Sequence, residues 1–251
     1  MKFEEIYKLA VTMGIKADPR GKREVDSLLA KEKEAFDKLS DEEKEDYDTD
    51  RLTNPFADSR ILFGDPGMDV RSIIVGVDME AQEILLADRL REKGRKIDLV
   101  MAHHPEGKAL ASLSEVMAVQ ADVWHNAGVP INVAEGVLEG RMNEVMRMML
   151  PLNHQRPVQT AELLELPLMC VHTPCDNLVT SNLQKHFDKK GEKLTLKEVK
   201  EELLKYPEYK RAARDNAGPT IVVGSDKRSA GRRRGERGRK RRGEEEKGRG
   251  R

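Results

Sequence analysis

At 251 residues, with 45 basic and 45 acidic side chains, the chain carries no formal net charge. That argues against a nucleic-acid-binding domain throughout, and the length suits one large domain or two small ones. No apolar run approaches the roughly 20 residues that span a bilayer, no long apolar stretch follows the opening Met-Lys-Phe-Glu-Glu, and two cysteines make no disulfide scaffold. The expectation is a cytoplasmic protein away from the membrane.

In chain order, the first fifty residues read as charged helices. Phe3, Ile6, Tyr7, Leu9 and Ala10 fall near helical spacing with Gly14 as a stop, and Leu28, Leu29, Ala35, Phe36 and Leu39 mark a second helix. Ser40 with Glu43 forms a capping box for a third. After Asn54-Pro55 the pattern changes. Ile73 to Val77 reads as a buried strand ending at Asp78, and residues 83–93 as a helix stopped by Gly94. Residues 97–102 read as a strand, 114–127 as a helix and 130–134 as a third strand. Leu138, Met142, Val145, Met146 and Met149 form a helical stripe. Residues 166–171 read as a fourth strand, Thr195 with Glu198 as a capping box opening a further helix, and 220–224 as one more strand. The alternation predicts an α/β fold with a mostly parallel sheet and flanking helices. The expected organisation is a helical extension over 1–55, an α/β domain over 56–231 and a tail over 232–251.

From Arg232 to Arg251 there are 11 basic and 4 acidic residues, so the preceding body is mildly acidic. The tail holds only Gly, Arg, Glu and Lys. It has nothing to bury and reads as disordered, and without aromatics to stack on bases it makes a poor nucleic-acid site. These four residue types share purine-only codons, so the tail also reads as an out-of-frame extension in place of a true C-terminus.

Chemistry should gather where parallel strands deliver their carboxyl ends. Residues 97–102 lead into His103-His104-Pro105-Glu106-Gly107, residues 166–171 into His172-Thr-Pro-Cys-Asp176, residues 131–133 into Glu135, and the first strand into Asp78. Imidazole with carboxylate suits Zn, Mn, Fe or Ni. Adjacent histidines point to opposite sides of a regular strand, so both reach one site only where the chain leaves the strand, as Pro105 requires. Cys170 reads as core packing and Cys175 as a small filler. His125 reads as structural and His186 as an exposed helical residue, while Asn153-His154 is either a site loop or a surface turn. No phosphate-binding glycine loop is present, so no nucleotide cofactor is expected.

The strings Asp-Leu-Val-Met-Ala-His103-His104-Pro-Glu-Gly and Val-His172-Thr-Pro-Cys-Asp176-Asn resemble two motifs of the Nif-three-like family, also known as GTP cyclohydrolase I type 2. Gly-Val-Pro-Ile-Asn-Val-Ala-Glu135, Asn153-His154 and the segment from Thr53 to Pro66 carry the resemblance further, over about residues 1–231. It implies a dinuclear metal centre in homo-oligomers, commonly toroidal hexamers, with His103, His104 and Asp176 as metal ligands. The family's C-terminal His-x-x-x-Glu ligands have no counterpart, since no histidine follows His186, and Cys175 stands where another residue is usual. Glu135, Glu106, Asp78 and His172 are the possible helpers. Two functions follow as expectations. One is a metal-dependent hydrolase acting on nucleotide-like small molecules, with Glu106 or Glu135 as general base, inactive if the site is incomplete. The other is a noncatalytic metal-binding regulatory factor with a protein partner.

Overall fold

The computed structural model describes residues 1–190 and 194–230, and the expected tail over 232–251 lies outside the described residues. Two compact units divide the chain, Met1–Asn182 and Leu183–Arg251. In chain order the first unit holds α1 (Phe3–Ala17), α2 (Lys22–Asp37), α3 (Asp41–Glu45), a 3-10 turn (Thr49–Leu52), β1 (Arg60–Phe63), β2 (Ile73–Gly76), α4 (Ala81–Glu92) and β3 (Leu99–Ala102). Then come α5 (Gly107–Ala111), α6 (Leu113–Val116), α7 (Val119–Asn126), α8 (Ile131–Met149), α9 (Arg156–Leu163), β4 (Leu168–Cys170) and the start of α10 (Thr173–Asp188). The second unit contains α11 (Leu196–Leu203) and α12 (Pro207–Arg214). No helix among the described residues is long and apolar enough to cross a membrane.

The architecture is α/β. The sheet runs β1-β4-β3-β2. β2, β3 and β4 are parallel, and β1 joins the edge antiparallel to β4. Strand alternation sends successive side chains to opposite faces. Val100, Ala102, Leu168 and Cys170 therefore pack on Ile84 and Ala87 of α4 and on Val158 and Ala161 of α9. Leu99 and Met169 pack the other way, against Phe3, Tyr7 and Val11 of α1 and against Phe56. Helix α1 thus covers this face of the sheet together with Phe56 and Val70. Its Gly14 is a close-approach residue: the helix continues to Ala17, and a Cβ at Gly14 would stand 2.6 Å from Pro174 Cα.

The expected strands around 73–77, 97–102 and 166–171 lie in this one sheet, and both capping boxes form. The Ser40 hydroxyl accepts from the Glu43 amide at 3.3 Å, and that of Thr195 from the Glu198 amide at 3.3 Å. Three expectations are corrected. Residues 130–134 are no strand but open α8. Pro130 precedes its first turn, and the apolar positions that matter, Ala134 and Leu138, are one helical turn apart and buried, while Val133 is exposed. A four-residue apolar run does not distinguish strand from helix. The helix expected over 114–127 is broken into α6 and α7. Residues 220–224 form no strand, and Val222 and Val223 are exposed to solvent.

Candidate metal centre

Three strand ends build the centre. β3 ends at Ala102, and the next two amides still reach β2 and its extension, His103 N–H donating to Gly76 O and His104 N–H to Val77 O. β4 ends at Cys170, two residues before His172, and α10 starts at once, placing Asp176 one turn beyond His172. Asp78 follows β2. Because the three strands are parallel, these residues meet on one edge.

His103, His104 and His172 bring ring nitrogens within 4.8 Å of one another. Two donors bound to one ion at about 2.1 Å lie at most about 4.2 Å apart, so small side-chain rotations gather the set. Each imidazole is fixed through Nδ1 to a group that can only accept: His103 to Val171 O at 3.2 Å, His104 to Asp78 Oδ1 at 2.6 Å and His172 to Asp58 Oδ2 at 2.8 Å. With Nδ1 donating, each neutral ring keeps its Nε2 lone pair for a ligand. The Asp176 carboxylate stands between two of these nitrogens, 3.5 Å from His103 Nε2 and 3.7 Å from His172 Nε2. Three neutral imidazoles and a carboxylate are a donor set suited to a borderline divalent ion.

Asp58 holds His172 from behind. It is fully buried, and its carboxylate also accepts from Thr173 Oγ1 at 2.5 Å and Ser59 Oγ at 3.1 Å. That hydrogen bond raises the His172 pKa above the ordinary histidine range, with burial opposing it.

His104 and His172 border a cavity of about 480 Å³, which Asp78, Glu80, Glu106, Asn153 and Arg156 also line. Glu106 is almost wholly buried, and burial first, then the neighbouring Glu80 carboxylate, pushes its pKa up to about 7. A carboxyl group poised there can exchange a proton near neutrality. Gly107, at φ 56, lets the chain turn away directly after it, and a Cβ there would meet Val158 Cγ2 at 2.7 Å.

The other expected residues distribute differently. Glu135 is not at the sheet edge. Since its segment is helical, it lies exposed on α8 and borders a separate cavity with Asp122, Asn132 and Met142. Asn153 lines the histidine cavity, whereas His154 contributes its carbonyl, accepting from Gly107 N–H at 3.0 Å. His186 is not free in solvent: its Nε2 is 3.0 Å from Glu202 of α11. Cys170 is buried in β4, and Cys175 is exposed. Sequence reasoning gave Asp58 no role. Its only signal was its place in the stretch from Thr53 to Pro66, where no motif distinguishes it.

No family model and no curated protein matches the sequence. Among solved structures, a NIF3 superfamily protein from Sphaerobacter thermophilus matches with a TM-score of 0.59 and 25% identity, over 69% of this chain and 61% of that one. The chain therefore spans about three fifths of the length of the structure it matches. The resemblance carried by the His103-His104 and His172-Thr-Pro-Cys-Asp176 motifs extends to the fold.

Proposed function

We propose that this Nif-three-like chain binds a divalent metal ion through His103, His104, His172 and Asp176 and uses it in hydrolysis of a small molecule held in the adjoining cavity. The observation that supports the reading best is the shared fixation of the three imidazoles, each held by Nδ1 on an obligate acceptor with Nε2 left for a ligand. A divalent ion held by these residues would supply Lewis acidity at the cavity. The chain's own part is to orient the donors, to keep the cavity walled, and to hold or release a proton on the Glu106 carboxyl, which lines the same cavity. Glu135 has no part in this scheme, because it borders a different cavity. Self-association into a homo-oligomer belongs to the proposal as the family resemblance implies it.

The second reading is a metal-binding regulatory protein without turnover. It is favoured by the sparse donor set: among the described residues, the metal-competent histidine group contains only three members, and a dinuclear site needs several ligands for each ion. The experiment is metal analysis after dialysis against zinc or manganese, followed by assay of ester, amide and nucleotide hydrolysis. One or two bound ions with turnover that disappears in His103→Ala supports the hydrolase. Bound metal without turnover supports the regulator, and no bound metal at neutral pH overturns both.

A further inference from the structure

We infer that the cavity beside the histidines takes a ligand with an aliphatic body and a neutral or cationic head, and disfavours phosphate-bearing nucleotides. The inference deepens the proposed function and uses the same site. Three features of the wall carry it.

The first is charge. Asp78, Glu80 and Glu106 line the cavity, and Arg156, the one lysine or arginine among its described lining residues, is already bonded to Glu80 at 2.6 Å. Asp58 and Asp176 stand behind and beside the histidines. Arg156 and one divalent ion together would offset three of these five carboxyl groups, so the field at the cavity attracts cations and resists a phosphate dianion. The second is the apolar side. Leu110, Leu113, Met149 and Leu152 face the same space. They offer a surface for methylene groups, in a volume of about 480 Å³ that falls in the usual range for small-molecule sites. The third is what the described lining does not contain: no Phe, Tyr or Trp, so a nucleobase finds no large aromatic face there besides the imidazoles held for metal. Asn153 provides a neutral amide that can pair with a ligand amide or hydroxyl.

Two titrations test this, and the first needs no metal. Hexylamine and hexyl phosphate share a body and differ in the sign of the head. In metal-free protein, titration calorimetry should give hexylamine at least about tenfold the affinity of hexyl phosphate, a modest demand where carboxyl groups outnumber cationic side chains. Glu80→Gln removes a carboxylate and frees Arg156, and should shift that preference toward the phosphate by a similar factor. Equal affinities, or a preference for the phosphate, overturn the inference whether or not metal binds. In zinc-loaded protein of confirmed metal content, octanohydroxamate should bind at least about tenfold tighter than acetohydroxamate, since six added methylenes leave water. Leu152→Asp should erase that gain with metal content unchanged. No gain with chain length, or guanosine monophosphate binding tighter than octanohydroxamate, also overturns it. Failure to load zinc would count against the metal centre alone and leave the first titration decisive.

Discussion

Asp58 Oδ2 accepts a hydrogen bond from His172 Nδ1 at 2.8 Å, across 114 residues of sequence. Asp58 is buried in the turn before β1 and His172 leaves β4, so the antiparallel pairing of β1 with β4 brings them together. The bond makes β1 more than an edge strand: it sets which nitrogen of His172 is available to a ligand. Asp58→Asn keeps the shape but offers one acceptor oxygen in place of two. Zinc affinity, measured by competition with a chromophoric chelator, should fall about 10- to 100-fold, as for other partners that orient metal-binding histidines. The far-ultraviolet circular dichroism should stay unchanged. Unaltered affinity would mean that Asp58 only fills space.

The same pair gives two opposite pH dependences. The folded pKa of His172 is raised, so in metal-free protein the Asp58–His172 contribution to stability is fully present below about pH 6.5, the unfolded value, and is lost as pH rises through the folded one. Metal affinity runs the other way and strengthens with rising pH, because protons compete for the imidazoles. Thermal melts of metal-free wild type and Asp58→Asn from pH 5 to 9 should converge toward the alkaline end, whereas zinc affinity should climb over the same range.

The clustering of His103, His104 and Asp176 on one sheet edge is legible in the sequence. His103, His104 and Asp176 come from short strings at strand ends, and topology alone brings such ends together. What stayed hidden depended on long-range packing. Asp58 looks like any polar turn residue until β1 pairs with β4. Arg60 opens β1 fully buried, with Nε bonded to Asp48 at 3.1 Å, which a hydropathy pattern cannot foresee. Pro130 to Ala134 misled because a short apolar run has no period of its own. Glu135, a candidate base by position, moved out of the site with that correction.

Gly14→Ala tests the seam between α1 and α10. The new methyl would stand 2.6 Å from Pro174 Cα, a backbone atom that cannot swing away, and Asn177 Nδ2 donates to Gly14 O at 3.3 Å beside it. Overpacking of this kind typically costs about 1–3 kcal/mol. Urea denaturation should show the loss, and zinc affinity should fall as well, since Pro174 lies between His172 and Asp176. Gly136→Ala on α8, where a Cβ meets nothing within 4 Å, is the matched control and should be neutral or slightly stabilising. Equal stability of the two variants would refute the close-approach role.

Glu106→Gln separates a functional carboxyl from a structural one. Burial and Glu80 raise the Glu106 pKa to about 7, against about 4.3 in an unfolded chain. A carboxyl with a raised folded pKa binds its proton more tightly when folded. Its ionisation therefore costs nothing below about pH 4.3, costs progressively more as pH rises, and costs its full amount above about pH 7. Glutamine has the size of the protonated acid and never ionises. In metal-free protein the variant should match wild type near pH 4 and melt higher by several degrees near pH 8. A stability gain from removing a charge is the mark of a group held in its place for function. The variant should still bind zinc, since Glu106 is outside the histidine group, but should lose any hydrolytic turnover. Melting curves that coincide at pH 8 would show that Glu106 ionises there without strain, and full turnover in the variant would remove it from the proton-transfer role.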